Sequence, residues 1–368
     1  MGRRPLDSFA PVAHFPDSIL YATQDCVFPR GMIKYEHGLK RANPVEVGER
    51  TMANELVILH EKPIATHMIA GWRRQWSDGG EISGGLTRYL VRRSNAKQIG
   101  EMSPEVSKMC YPFQVPGTHD TYRPRVAYED GLPVKEMHRE NIFYDAGNGL
   151  IIFRGEEPWF RIDIYGEAFF AAVKELGVRY TLAVEGYNGA APPDMERSVN
   201  CVYSQPHMKQ ELEKYGLSFS SYGSQGRNGP TVGMALITMA HELHPDLDMF
   251  RLGAMAPMFP FLTSSNQPVG ITRDHRSFYD IMRRLKSMFN LDIDLAELMT
   301  LADTECREMQ ETLERISSSN PQAKEIIERA RADYRYSPFL DPTELDPALE
   351  RNLDDIIQNA PDSPTEPE

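Results

Sequence analysis

Short apolar strands alternate with longer helical segments through the middle of this 368-residue chain. Residues 149–155 and 178–185 are short segments rich in branched apolar side chains, the pattern of buried strands. Residues 82–93 and 164–176 carry apolar side chains at helical spacing, and Gly177 follows the second of these segments as a C-terminal cap. Because helices that alternate with strands cover both faces of a sheet, the sequence predicts a layered α/β fold.

The pattern divides the chain into four parts. Residues 1–50 contain five prolines, which break any long helix and predict an N-terminal extension. Residues 51–290 form the predicted α/β domain, and residues 291–336 form a C-terminal helical segment. Residues 337–368 are predicted to be an acidic, partly disordered tail that includes a short amphipathic helix.

Charge and composition exclude several classes of protein. The formal charge of −13 argues against general nucleic-acid binding, which needs clustered positive charge. No run approaches the roughly 20 apolar residues of a membrane span, and the first residues lead into no apolar signal segment. The four cysteines are far apart and form no CxxC pair, which excludes a disulfide-stapled mini-protein and a zinc ribbon. We therefore expect a cytoplasmic protein that binds neither nucleic acid nor membrane and carries no metal or cofactor.

One long helix in the C-terminal segment has an apolar stripe. Its apolar residues recur at steps of three and four, as in helices that pack on another helix. The stripe fits packing on the chain's own core, and it equally fits an interface between subunits of a homo-oligomer. The candidate interface residues are Leu295, Leu298, Ala302, Met309, Leu313 and Ile316.

Three glycine-rich turns precede helices or follow strands, at residues 71–81, 185–193 and 223–231. A helix N-terminus favours an anion, and ligands gather at the carboxyl ends of strands in open α/β sheets. None of these turns completes a P-loop or a dinucleotide fingerprint, so a structural turn or a simple helix cap remains the alternative at each. The candidate ligand-binding residues are Arg73, Asp78, Gly79, Gly80, Glu185, Asn188, Gly229 and Thr231.

No complete catalytic constellation is visible. Residues 241–244 read HELH, which does not have the HExxH spacing of a zinc protease. The sequence also lacks the GxSxG elbow of an α/β-hydrolase. We therefore name no catalytic residue and no metal ligand, and the sequence favours a protein that is not an enzyme.

Four segments in order resemble a known family. They are Ile69-Ala70-Gly71-Trp72 with Ser77-Asp78-Gly79-Gly80, the strand 151–159 ending in Gly-Glu-Glu-Pro-Trp, the helix start Gly229-Pro230-Thr231-Val232-Gly233, and the helix entry 289–298. Together they resemble the PAC2 superfamily, which includes proteasome assembly chaperone 2, and they are most similar to its longer bacterial members.

The resemblance implies a three-layer α/β/α sandwich of the phosphorylase/hydrolase-like type, with a C-terminal helical extension. It also implies a homo-oligomer and a role in protein assembly. Two departures matter. The chain ends Glu366-Pro367-Glu368 rather than in the hydrophobic-Tyr-x tail with which proteasome chaperones dock, and the loop from Pro193 to Arg197 lacks the histidine that many relatives have there.

Two functions are consistent with these observations. The first is a non-catalytic, oligomeric scaffold or assembly-chaperone-like protein that binds other proteins, in part through its acidic tail. The second is a protein or enzyme that binds a nucleotide or phosphorylated metabolite in a cleft at the strand ends. A clean subunit mass or a retained small molecule would distinguish them.

Overall fold

The computed structural model describes residues 56–111, 126–136, 141–221, 229–262 and 267–340. The predicted N-terminal extension, residues 223–228 of the third glycine-rich turn and the tail helix all lie outside these residues.

A mixed ten-stranded sheet organises the described chain. Its order is β1-β3-β6-β7-β2-β8-β11-β9-β10, with β12 paired to β11, and β4 and β5 form a separate hairpin. The strands are β1 Val57–Leu59, β2 His67–Arg73, β3 Lys97–Met102, β4 Val126–Glu129, β5 Leu132–Glu136, β6 Ile142–Asp145, β7 Leu150–Glu156, β8 Tyr180–Gly189, β9 Val199–Tyr203, β10 Ser218–Phe219, β11 Asp248–Leu262 and β12 Pro268–Gly270.

The centre of the sheet is parallel. Strands β7, β2, β8 and β11 are parallel neighbours, with His67 in register with both Leu150 and Tyr180. Because their carboxyl ends lie at one edge, the turns that follow these four strands meet there.

Eight α-helices cover the sheet within the described residues. They are α1 Ile82–Arg93, α2 Pro104–Cys110, α3 Ile162–Glu175, α4 Met208–Leu212, α5 Val232–Leu243, α6 His275–Phe289, α7 Ala296–Ser319 and α8 Pro321–Asp333, and short 3₁₀ turns span Gly79–Glu81 and Glu213–Tyr215. None of the described helices is long and apolar enough to cross a membrane.

Two apolar cores lie on opposite faces of the sheet. Along β2, Met68 and Ala70 enter the core that contains α2, α3 and α5, whereas Ile69 enters the core that contains α1 and α6. This alternation is what a strand buried on both faces requires. The predicted three-layer α/β/α architecture is therefore confirmed. The Trp72 side chain is fully buried in the core that contains α2, α3 and α5.

The apolar stripe on α7 packs inside the chain. Leu298 joins the core of α1 and α6, while Met309 and Leu313 join a third cluster with Phe259 and Val269 from β11 and β12. Leu298, Ala302, Met309 and Leu313 are buried, and Leu295 and Ile316 are half-buried. These contacts account for the stripe without a second subunit, and the subunit interface along α7 stays a prediction.

Local signals at the helix ends are mostly as predicted. Helix α1 has the predicted bounds, Gly177 has a φ of 68° after α3, and the side-chain Oδ1 of Asn320 caps α8 by accepting hydrogen bonds from two backbone N–H groups. Asp78 and Glu81 have the spacing of a capping box, but this box does not form, because Glu81 takes the left-handed conformation at φ 49°.

Candidate functional site

A tight turn joins β2 to α1 at the carboxyl edge of the sheet. A Cβ at Gly79 would lie 2.5 Å from the carbonyl carbon of Tyr187, and a Cβ at Gly186 would overlap the Gly79 carbonyl oxygen. Gly80 has a φ of 66°, which favours glycine. The glycines therefore let the turn lie directly against the backbone of β8.

The Asp78 carboxylate fills the N-terminus of α1. Its two oxygens accept hydrogen bonds from the backbone N–H groups of Ser83 at 2.6 Å and Gly84 at 3.2 Å. These N–H groups are the donors that an anion would use at a helix start. Asp78 thus acts as a cap at the position where the sequence suggested a bound anion.

The Glu185 carboxylate fills the N-terminus of α5 in the same way. Fully buried on β8, it accepts hydrogen bonds from the Gly233 backbone N–H at 2.9 Å and the Thr231 hydroxyl at 2.6 Å. It also accepts from the Gln75 amide at 2.7 Å and from Nε of the buried Arg251 at 2.7 Å. Four donors satisfy a carboxylate, so Glu185 is a structural centre rather than a free base.

Two arginines at the end of β2 face a third carboxylate. The Glu156 side chain is buried at the end of β7, with Nη1 of Arg74 at 3.0 Å and Nη2 of Arg73 at 3.6 Å. Arg73, which the sequence analysis named as a candidate ligand-binding residue, thus forms an ion pair with Glu156.

Six of the eight predicted ligand-binding residues come together in one cluster, which consists of Asp78, Gly79, Gly80, Glu185, Asn188 and Thr231. Thr231 and Asn188 reach the cluster through Glu185 and Gly79 respectively, and Asp78 and Gly80 lie in the same turn. Arg73 lies beside it on Glu156, whereas Gly229 is exposed with nothing near its Cβ position. Described residues from all three turns lie together, and their polar groups bind one another.

Burial raises the pKa of two carboxyls that have no ion-pair partner in the described part of the chain. Desolvation raises the pKa of Asp78 to about 7, against the lowering effect of its two backbone hydrogen bonds. Desolvation likewise raises the pKa of Glu157 to about 7, although the Trp76 backbone N–H donates to it at 2.9 Å. Both carboxyls lie close enough to Glu185 for its negative charge to add to the increase.

These two groups predict a dependence of stability on pH. Their folded pKa values exceed the ordinary values of 3.8 and 4.5, so between about pH 4.5 and 7 the folded state holds protons that the unfolded state has lost. Their contribution to the unfolding free energy therefore decreases as the pH rises through this window. We expect urea denaturation to show that the unfolding free energy decreases more from pH 5.5 to pH 7.5 for the natural chain than for an Asp78→Asn/Glu157→Gln variant. Equal decreases would contradict the assignment.

A buried ionic network that the sequence analysis missed lies beside the cluster. Arg197 and Asp274 are both fully buried and joined by hydrogen bonds of 2.8 and 3.2 Å. The Asp274 backbone N–H donates to the Gly80 carbonyl at 3.0 Å, which connects the network to the turn after β2. In addition, Arg284 reaches Glu196 at 2.7 Å and the carbonyl of Ser337 at 3.2 Å. These contacts bind the segment after α8 to the α/β domain.

Two cavities in the described part of the chain lie away from this cluster. One of about 160 Å³ lies between α7, α8 and the loop at Pro192 and Pro193. The other, of about 250 Å³, lies at the opposite edge of the sheet, near Leu150 and Asn290. Among the described residues, no group of three or more His, Cys, Asp or Glu side chains could hold a metal ion.

The sequence profile described as the PAC2 family matches residues 74–313, which is more than half of the chain. None of the curated proteins matches the sequence.

Several solved structures share the fold. A Mycobacterium tuberculosis proteasome-assembly chaperone homologue is 16% identical, covers 67% of this chain and 95% of its own, and has a TM-score of 0.52. A PAC2 family protein from Streptomyces avermitilis is 20% identical, with 69% and 97% covered and a TM-score of 0.52. A Mycobacterium tuberculosis protein of unknown function is 13% identical, with 86% and 96% covered and a TM-score of 0.52.

Proposed function

Because the chain belongs to the PAC2 family, we propose that it is a non-catalytic, oligomeric scaffold or assembly-chaperone-like protein that binds other proteins in the cytoplasm. The observation that carries this proposal is the occupation of both helix N-termini by the chain's own carboxylates. A substrate would have to displace Asp78 from α1 or Glu185 from α5, and the second displacement would leave Arg251 buried without its counter-charge.

An exposed apolar surface supports a role in protein binding. It consists of Met109, Trp159, Phe160 and Ile162, whose exposed fractions run from 37% to 48%. The backbone N–H groups of Trp159 and Phe160 both donate to the Cys110 carbonyl, which places these side chains beside the end of α2. Large apolar side chains grouped at a surface favour contact with another protein.

The names of the structural neighbours point in the same direction. One Mycobacterium tuberculosis neighbour is called a proteasome-assembly chaperone homologue. We extend to this chain the general class of role, the assembly of other proteins, and not that partner.

The apolar stripe of α7 packs against other elements of the same chain. We therefore propose that the homo-oligomer uses another surface, and that the acidic tail contributes to binding a protein partner.

Binding of a nucleotide or phosphorylated metabolite, the second function considered above, receives less support from the same contacts. A phosphate placed at the strand ends would face Asp78, Glu157 and Glu185, of which only Glu185 has a cationic partner within the described residues. The negative charges of these carboxylates and of the phosphate repel one another, which opposes binding.

Native mass spectrometry of the freshly purified full chain tests the proposal. We expect an oligomer whose mass is an integer multiple of the chain mass, with no excess. A reproducible excess of the size of a nucleotide on each subunit would overturn the non-catalytic scaffold in favour of the second function. A strictly monomeric chain would overturn the oligomer.

A further inference from the structure

Two carboxylates at the carboxyl edge of the sheet have no ion-pair partner in the ranges that the structure describes. Glu185 has Arg251, and Glu156 has Arg73 and Arg74. Among the described residues, by contrast, no cationic side chain forms an ion pair with Asp78 or Glu157. Asp78 accepts only from two backbone N–H groups of α1, and Glu157 accepts only from the Trp76 backbone N–H. We call these two side chains the carboxylate pair.

A buried amide oxygen beside the pair also lacks a donor. The Gln75 side chain is 6% exposed, and its amide nitrogen donates to Glu185. Its Oε1 is buried without a hydrogen-bond partner in the described chain. Gln75 lies between the β2 end and Trp76, in the turn that Glu157 and Asp78 hold, so this oxygen is a third acceptor in the cluster. A buried acceptor without a donor is unfavourable, so a donor that reached this oxygen would stabilise it.

The two carboxylates and Oε1 of Gln75 are all acceptors. A group that serves all three carries N–H donors and positive charge and no acceptor, which describes an arginine or lysine side chain. An arginine guanidinium has five N–H donors in a planar fork and can serve two carboxylates and an amide oxygen together. Trp76, 59% exposed in the same turn, offers an aromatic ring that can lie against such a cation.

We propose that the carboxylate pair, Gln75 and Trp76 form a site that receives an arginine or lysine side chain of a partner protein. This inference rests on the proposed role in protein binding and names the chemistry by which a partner is recognised. A metal ion fits less well, since no group of three metal-binding side chains occurs among the described residues.

The titration of the pair gives the site a dependence on pH. Desolvation, together with the negative charge of Glu185 on β8 and, for Asp78, of Glu81 in the 3₁₀ turn, raises the pKa of both carboxyls to about 7. The cations nearest to these groups are already engaged: Arg251 with Glu185, Arg273 and Arg88 with Glu81, and Arg73 and Arg74 with Glu156. A bound cation favours the ionised carboxylates, so binding should release protons and strengthen from pH 6 to pH 8.

Calorimetric titration of the full-length protein with a capped Gly-Ala-Arg-Ala-Gly peptide tests the site. A matched peptide with neutral citrulline in place of arginine keeps the shape and removes the charge. We expect the arginine peptide to bind at least tenfold more tightly than the citrulline peptide, and to lose affinity by about tenfold or more from pH 8 to pH 6 as the pair becomes protonated. Free ethylguanidinium, which carries the charge without the peptide, should bind more weakly than the arginine peptide.

The variant Glu157→Gln can still accept from the Trp76 N–H but loses the charge, so we expect it to lose the binding and its pH dependence. Glu242→Gln, at an exposed position on α5, should bind as the natural chain does. Equal binding of the arginine and citrulline peptides, or unchanged binding by Glu157→Gln, would overturn the site. If ethylguanidinium bound as tightly as the peptide, the site would be one for a free small cation, and the proposed partner side chain would be overturned. The oligomer mass measured by native mass spectrometry does not depend on this site. A chain that forms the oligomer but does not bind the arginine peptide would therefore overturn this inference and leave the proposed function standing.

Discussion

Replacing Arg197 with methionine should lower the free energy of unfolding by about 3–5 kcal/mol. The guanidinium is fully buried and pairs with the equally buried Asp274. Its Nη1 also donates to the carbonyls of Pro192, Pro193 and Met195 at 2.9–3.1 Å. Methionine has a similar length but no donor, so the substitution leaves a buried carboxylate without its cation and three carbonyls without this donor.

Urea denaturation measures this loss, and Arg331→Met is the matched control. Arg331 pairs with Asp194 at 2.6 Å, but both side chains are nearly half exposed, and exposed pairs contribute only about 0–1 kcal/mol. A loss from Arg197→Met no larger than that from Arg331→Met would show that the buried network does not hold the loop after β8 in place.

This network also shows where sequence reasoning fails. Arg197 stands in a short proline-rich loop, and Asp274 lies 77 residues later, before α6. Nothing within either segment indicates the other, because the two meet only when β8 and α6 have packed. The resemblance to relatives drew attention to the loop for a histidine it lacks, whereas its structural function depends on the arginine.

The parts of the fold that local patterns determine were predictable. Helix α1 has the predicted bounds because its apolar positions and its preceding glycines are both local signals. Strands β6 and β9 were missed, since each has only four or five residues and depends on a partner far along the chain, β3 for β6 and β11 for β9. Short strands depend on register with neighbours more than on their own sequence.

The candidate site was predictable in its position and not in its chemistry. The sequence placed Asp78 and Thr231 at helix starts that attract anions and Glu185 at the end of a strand, and the fold brings them together. A helix N-terminus binds an external anion and an internal carboxylate through the same N–H groups, so the sequence alone cannot distinguish the two. The same limit applied to α7, where an apolar stripe fits a neighbouring subunit and the chain's own strands equally well.

Glu185→Gln should likewise lower the free energy of unfolding by about 3–5 kcal/mol, because it removes the charge that compensates buried Arg251. Urea denaturation would measure the change. Adding Arg251→Met should recover part of the loss, since the uncompensated charge then disappears, although Thr231 and Gly233 would still have lost the carboxylate to which they donate. If Glu185 instead served as a base in a reaction, the glutamine variant would keep its stability and lose only activity. A variant as stable as the natural chain would therefore contradict the structural assignment on which the non-catalytic proposal depends.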